Sequence, residues 1–236
     1  MIADPVVISQ PYNGLINVPI RHKSLVDLLG VRFLVQPIDS TLRPVDEPSM
    51  AWRRVATDPA PRAFTFAVGG VRTLPPYELL ENTKAFPRAF VVPKVDRLPD
   101  DRAGIVRAMT SNDFRRVALI EAADLPDFGP ASGTFRPAEV RSYQPNRIEV
   151  DAEGPGLLVL ADPWYPGWTA AIDGAATTLY RVDFLFRGAT LTPGRHVVTF
   201  TFQPWTLRIG RWVSSLTWAA VATLTVVTLS RRRRIS

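Results

Sequence analysis

Residues 157–204 constrain the fold more than any other stretch of this chain. They read LLVLADPWYPGWTAAIDGAATTLYRVDFLFRGATLTPGRHVVTFTFQP. Short runs of β-branched, aliphatic and aromatic residues are punctuated there by Asp162-Pro163, Pro166-Gly167, Asp173-Gly174 and Pro193-Gly194. A helix cannot run through such punctuation, because proline donates no backbone N–H and its ring clashes with the preceding turn. Strands joined by tight turns can use every one of these residues. The stretch therefore reads as the core of a small β-sandwich. The 22 prolines in 236 residues, about twice the ordinary share, extend the same argument to the whole chain.

Upstream, 138–143 and 147–152 read as two strands about the turn Gln144-Pro145-Asn146. Apolar and charged residues alternate strictly from Arg147 to Asp151, as in a strand with one buried and one wet face. Further strands are expected over 157–161, 169–172, 178–182, 184–190 and 196–202. Turns recur at roughly the 8–12-residue spacing of a sandwich.

Residues 124–137 hold prolines and glycines without periodicity and read as a linker. Before them the pattern is mixed. Residues 1–22 look extended. Ser24 is placed to cap a short helix over 25–29 that Gly30 ends. Strands follow over 31–36, 50–56 and 62–68, then 77–82 and 85–92 read as two strands or a strand and a loop. Asp100 or Asp101 caps a helix running to about Met109, and 116–122 is a strand.

The last element spans 213–229 without a charge. Trp212 and Trp218 suit a membrane interface, Arg208 and Arg211 precede the run, and Arg231 to Arg234 follow it. About 19 residues at a 1.5 Å rise cover most of a ~30 Å hydrocarbon core. The expectation is one membrane span, with the main domain outside the cytoplasm and the four arginines inside. No signal peptide precedes the domain, so the chain reads as the C-terminal piece of a longer polytopic protein.

The fold class expected is α+β, mostly β. A small α/β N-terminal subdomain (1–123) and a linker (124–137) lead to an immunoglobulin- or jelly-roll-like β-sandwich (138–207). One C-terminal transmembrane helix with a cytoplasmic arginine tail (208–236) completes it.

Several chemistries are excluded. There is no cysteine, and the two histidines, His22 and His196, lie far apart, which rules out Cys- or His-rich metal sites. No cofactor-binding or nucleophile motif has the required spacing, so neither a cofactor nor a metal is expected. The net charge is +6, but Arg231 to Arg234 supply four of those charges, and no nucleic-acid signature is present.

The candidate binding residues are Trp164, Tyr165, Trp168, Asp173, Arg181, Arg187 and Arg88. Trp164, Tyr165 and Trp168 could stack on a sugar or a lipid headgroup, or Trp168 could plug the core. Asp162 and Asp173 could form a carboxylate pair for glycoside chemistry, though both read more cheaply as turn residues. Arg181 and Arg187, with Asp183, could hold an anionic headgroup or form a solvated face. Arg88, beside Pro87, could clamp a phosphate bidentately or pair with Glu78 or Glu81.

These residues carry a resemblance. The order Asp162, Trp164-Tyr165-Pro166-Gly167-Trp168, Asp173-Gly174, Arg181, Phe184-Leu185-Phe186-Arg187-Gly188, Pro193-Gly194-Arg195-His196-Val197 and 200–204 resembles the C-terminal region of the YfhO family of bacterial multi-spanning membrane proteins. Residues 28–33, Glu81-Asn82 and 86–89 also fit. That family is similar to the GT-C class of glycosyltransferases. The resemblance implies a part in moving sugar from a polyprenyl-phosphate carrier to a cell-envelope polymer. It implies as partners the lipid bilayer, an envelope glycan or polyprenyl-phosphate sugar, and an N-terminal transmembrane region outside this chain. The carboxylate and carrier site of the class belong to loops between early spans, so no catalytic residue carries over. The alternative is a non-enzymatic, membrane-anchored carbohydrate- or headgroup-binding module.

Overall fold

The structure is a computed structural model and describes residues 22–39, 44–60, 62–66, 70–121 and 133–233. The readings made for 1–21 and for most of the 124–137 linker lie outside these residues. The described chain is mostly β, as its prolines and turn formers demand. Its strands are β1 (Phe33–Pro37), β2 (Trp52–Asp58), β3 (Arg62–Phe66), β4 (Gly70–Leu74), β5 (Tyr77–Asn82), β6 (Ala89–Val92), β7 (Lys94–Arg97), β8 (Val117–Ile120), β9 (Arg136–Gln144), β10 (Arg147–Leu160), β11 (Trp168–Ile172), β12 (Ala175–Thr177), β13 (Tyr180–Val182) and β14 (Phe186–Phe202). The α-helices are α1 (Lys23–Leu28), α2 (Arg102–Ser111) and α3 (Trp205–Arg233).

Two long strands organise the molecule. β10 and β14 run antiparallel along nearly their whole length, from Arg147 opposite Thr201 to Leu160 opposite Arg187. The register slips once. Gly154 faces Gly194, but Gly156 faces Leu191, so Thr192 and Pro193 stand opposite Pro155 alone. Such a bulge bends both strands and sharpens their twist. Each long strand therefore contributes to two leaves. One leaf contains β9, 147–153, 195–202, β11 and β12; the other contains β6, 157–160, 187–191, β13, β8 and β7.

The space between the leaves is filled by Ala89, Val91, Ile148, Val150, Leu158, Leu160, Ala170, Ala189, Leu191, Val198 and Phe200. On the far side of the second leaf, Phe90, Val92, Leu157, Val159 and Phe186 pack with Leu28 at the end of α1, and with Leu98, Phe114 and Ile105 around α2. The run Leu157-Leu158-Val159-Leu160 is thus covered on both faces and is 0% exposed throughout. That is why it is continuously apolar while 147–151 alternates. Burying each such side chain stabilises the fold by about 1.5–3 kcal/mol.

Strands from both sides of 124–137 share this sheet: β6 pairs with β9 and β10, and β8 pairs with β13. A separate sheet, β1-β5-β2, packs Trp52 and Leu80 on Val26 of α1. β3 and β4 form a hairpin.

The helix starts follow from capping. The Asp101 carboxylate accepts the Gly104 N–H at 2.8 Å and begins α2, as expected. Ser24 caps nothing, because α1 begins one residue earlier, after His22, which makes no side-chain cap bond. Gly30 closes α1 with φ +66, a left-handed conformation that glycine adopts at no steric cost.

The expected C-terminal transmembrane helix is not upheld, and the single-span localisation goes with it. α3 is a helix, but among the described residues no helix is long and apolar enough to cross a membrane. The physical reason is dilution: among its described side chains α3 interleaves Ser214, Ser215, Thr217 and Thr223 with its apolar residues, and Thr217 and Thr223 turn their hydroxyls back to the Val213 and Ala219 carbonyls.

A second difference concerns the strands. Sequences 184–190 and 196–202 are not separate strands about a Pro193-Gly194 turn; they are one strand bent there. Likewise 147–152 and 157–161 merge into β10.

Candidate functional site

The loop 162–168 lies between β10 and β11 and is pinned at both ends. The Trp164 N–H donates to the Leu185 carbonyl at 2.7 Å, and the Gln203 N–H donates to the Gly167 carbonyl at 2.7 Å. Gly167 has φ +106, and a Cβ there would meet Pro204 at 3.0 Å. Only glycine fits that position without displacing its neighbour. The clamp leaves Tyr165 standing out, 64% exposed, with its ring 6.3 Å from Phe202.

Beneath the loop, three distant parts of the sequence meet. Asp162 is buried, and one of its oxygens receives Arg88 Nη2 at 2.9 Å. The other receives Arg187 Nη2 at 2.9 Å and the Tyr143 hydroxyl at 3.0 Å. Arg88 also donates to the Tyr143 hydroxyl at 2.7 Å and lies over its ring at 4.9 Å. Arg187 is only 2% exposed, and its guanidinium carbon lies 3.7 Å from the centre of the Trp168 ring. Its Nε and Nη1 are buried and find no hydrogen-bond partner.

Two guanidiniums thus share one carboxylate. Burial pulls the Arg187 guanidinium below its ordinary value, and Asp162 and Tyr143 oppose that pull. At Arg88 burial acts in the same direction, but Tyr143 and Asp162 outweigh it and the net shift is upward.

A second cluster surrounds the turn between β13 and β14. Arg181 Nε donates to the Phe184 carbonyl at 2.7 Å, and its guanidinium lies over the rings of Phe184 at 4.7 Å and Trp164 at 5.9 Å. Asp183 sits inside this turn with φ +48, fully buried, and one oxygen accepts the Leu119 N–H at 2.8 Å. Its other oxygen has no partner. Burial pushes its carboxyl up to about 7, against the opposing Leu119 bond.

The third cluster is Asp173 with His196. His196 Nδ1 bonds one Asp173 oxygen at 2.7 Å, and the other oxygen accepts the Val197 N–H at 2.9 Å. His196 Nε2 lies 3.1 Å from both the Thr192 hydroxyl and the Thr192 carbonyl. Nδ1–H donates to the carboxylate, while Nε2 can accept from the Thr192 hydroxyl in the neutral ring or donate to the Thr192 carbonyl in the imidazolium. The pair braces the β11–β12 turn against the bend of β14. The Asp173 bond raises the His196 value, and the same bond lowers that of Asp173. Beside them lies a groove of about 420 Å³ lined by Glu139, Arg141, Asp151, Glu153 and Arg195 among others.

Of the seven residues singled out from sequence, the structure brings Arg88, Arg187 and Trp168 into one cluster and Trp164 and Arg181 into a second. Asp173 lies in the third, and Tyr165 projects from the loop. Arg88 pairs with Asp162, while Glu78 is bonded by Arg54 and Gln36 and Glu81 by Arg32 and Arg53. Asp162 and Asp173 belong to different clusters, each with its oxygens engaged. Sequence reasoning missed Tyr143, which lies 55 residues from Arg88 and carries no motif. Among the described residues no group of acidic and histidine side chains could hold a metal ion.

The fold and this cluster define a two-leaved β-sandwich with an arginine- and aromatic-lined polar centre at the end of its second leaf. Residues 132–214 match the family described as bacterial membrane protein YfhO, which supports assigning that segment to this family. No curated protein and no solved structure matches it significantly.

Proposed function

We propose that this chain is a recognition part, without catalysis of its own, of a YfhO-type protein that takes part in moving sugar from a polyprenyl-phosphate carrier to a cell-envelope polymer. One observation carries the reading. Tyr143, Asp162, Trp168 and Arg187 all fall inside the segment that matches the YfhO family and converge on one point of the sandwich. Guanidiniums and aromatic rings side by side are suited to an anionic sugar ligand, because the former bond oxyanions and the latter cover sugar faces. Both Asp162 oxygens are already bonded, which leaves that carboxylate no free edge for acid–base work on a glycosidic bond.

The test incubates the purified chain with cell-envelope polymer and with vesicles bearing a polyprenyl-phosphate sugar. Binding to one of the two without sugar transfer is expected. Transfer by the chain alone, or binding to neither, contradicts the reading.

A second reading, a stand-alone carbohydrate- or headgroup-binding module, is favoured by the exposure of Tyr165. It requires that Tyr165→Ala weaken binding to a neutral glycan without lowering the melting temperature.

A further inference from the structure

Arg115 lies in the turn between α2 and β8, where the Asp113 carboxylate accepts the Arg115 backbone N–H at 3.1 Å. Its guanidinium lies over the Phe86 ring at 4.3 Å and the Phe135 ring at 4.5 Å, in the corner made by two rings that meet at 68°. Its Nη2 donates to the Lys84 carbonyl at 2.9 Å. The head is thus held from three sides, but none of these contacts neutralises it. An aromatic face attracts a cation and carries no net charge. Among the described residues no carboxylate forms an ion pair with Arg115.

The donors of Arg115 are also open. A guanidinium carries five N–H donors in one plane, and two of its edges can each meet a pair of oxygens. The bond to Lys84 uses one N–H of Nη2 and so occupies one edge; the other edge keeps both its donors. Among the described residues Nε and Nη1 bond nothing and are not buried, so they face solvent. Arg187 differs here, because its spare donors are sealed inside the fold.

The charge around Arg115 adds to its own. Lys84 is exposed, and its ammonium has no ion pair among the described residues. Its backbone N–H donates to Asn82 Oδ1 at 3.0 Å, and the same oxygen accepts Lys23 Nζ at 2.8 Å. Lys23 is neutralised by Asp27. Burial pulls the Lys23 ammonium below its ordinary value; Asp27 opposes the pull, and the charges of Lys84 and Arg115 add to it. Lys84 and Arg115 therefore stand together as two positive charges without acids.

We infer that Arg115 and Lys84 form a binding site for a phosphate monoester. Two oxygens of the ester accept from the open edge of Arg115, which the two rings and the Lys84 carbonyl hold in place. Lys84 brings the second charge on its flexible four-carbon stem, which starts beside the guanidinium. A monoester carries nearly two negative charges and matches both cations, whereas a carboxylate would leave one unmatched. The site shares no residue with the Arg88–Asp162–Arg187 cluster and does not depend on the function proposed above.

The experiment titrates the full chain with glycerol phosphate, with glycerol and acetate as controls, at constant ionic strength and about pH 8, above the second pKa of the ester. Glycerol phosphate should bind, raise the melting temperature and move the Arg115 Nε–H resonance in the isotope-labelled chain. Glycerol should do none of these, and acetate should bind more weakly. Arg115→Lys keeps the charge but loses the fork and should weaken binding roughly tenfold or more. Lys84→Gln should weaken it roughly threefold. Its exposed side chain leaves the fold intact, so it decides the matter if Arg115→Lys does not fold. Lys94→Gln, an exposed lysine on β7, should bind as the parent does. Equal affinity in the parent and the folded Arg115 and Lys84 variants, an equal loss in Lys94→Gln, or acetate binding as tightly as the ester overturns the site. A further arm compares vesicles with and without phosphatidic acid. Vesicle binding that needs phosphatidic acid and falls in Lys84→Gln assigns the ester to a lipid headgroup; binding of glycerol phosphate alone assigns it to a soluble or polymer-linked ester. Both support the site.

Discussion

At the scale of single residues, the structure is marked by groups held away from their ordinary chemistry. Asp183 is the clearest. Its carboxyl is raised to about 7 from an ordinary value of 3.8 because burial disfavours the charged form. Between those values the folded chain keeps the proton and the unfolded chain has lost it. The stabilising effect is therefore complete below about pH 4 and fades as the pH rises towards 7. Asp183→Asn keeps an acceptor for the Leu119 N–H, tolerates the positive φ and cannot ionise. It should melt higher than the parent at about pH 9 and no higher at about pH 4, measured by thermal denaturation at both. Gly167 gives a second prediction. With φ +106 and Pro204 at 3.0 Å, Gly167→Ala should destabilise the fold by about 1–3 kcal/mol in denaturant titrations.

Elements depend on such residues in two ways. α2 begins where Asp101 caps Gly104, and Asp101→Ala should cost about 1 kcal/mol of stability, measured by chemical denaturation. The β14 bend is held by the His196–Asp173 brace. The His196 value is raised above its ordinary 6.5, so its contribution is present below that pH and lost as the pH climbs through the raised value. The Asp173 value is lowered from 3.8, so its contribution is present above that pH and lost as the pH falls through the lowered value. The brace is complete between about pH 4 and 6.5. His196→Gln should therefore lower the melting temperature most within that window, and much less at about pH 9, in melts taken across the range.

Sequence reading was most successful where an element follows from its own residues. Arg147 to Asp151 alternates in burial as it alternates in polarity, and Asp101 and Gly30 mark helix ends by local chemistry. It failed where one residue type serves two purposes. Pro193-Gly194 has the composition of a tight turn, but glycine and proline also make bulges, and only the pairing of Gly156 with Leu191 decides between them. The uncharged run after Trp212 has the length of a span, yet hydroxyl residues interrupt it, and among the described residues no helix is long and apolar enough to cross a membrane. The functional cluster was half legible. Arg88, Trp168 and Arg187 stood out by type, whereas Tyr143 and the sharing of Asp162 by two guanidiniums arise only when β9, β10 and β14 are laid side by side.

For the whole molecule, the bent pair β10–β14 places 157–160 at the centre of two cores and carries Asp162 just past its end. The polar cluster is thus anchored to the most deeply buried part of the sandwich, and its geometry is set by the fold instead of by a mobile loop. Asp162→Ala should accordingly destabilise the entire domain, by about 3–5 kcal/mol, because it strands the buried Arg187 charge. The direct test of the central claim follows the guanidinium Nε–H resonances of Arg88 and Arg187 in the isotope-labelled chain as envelope polymer or polyprenyl-phosphate sugar is added. The account predicts that these two resonances move together and saturate with the ligand; saturable binding that leaves both unmoved while other resonances shift would contradict it.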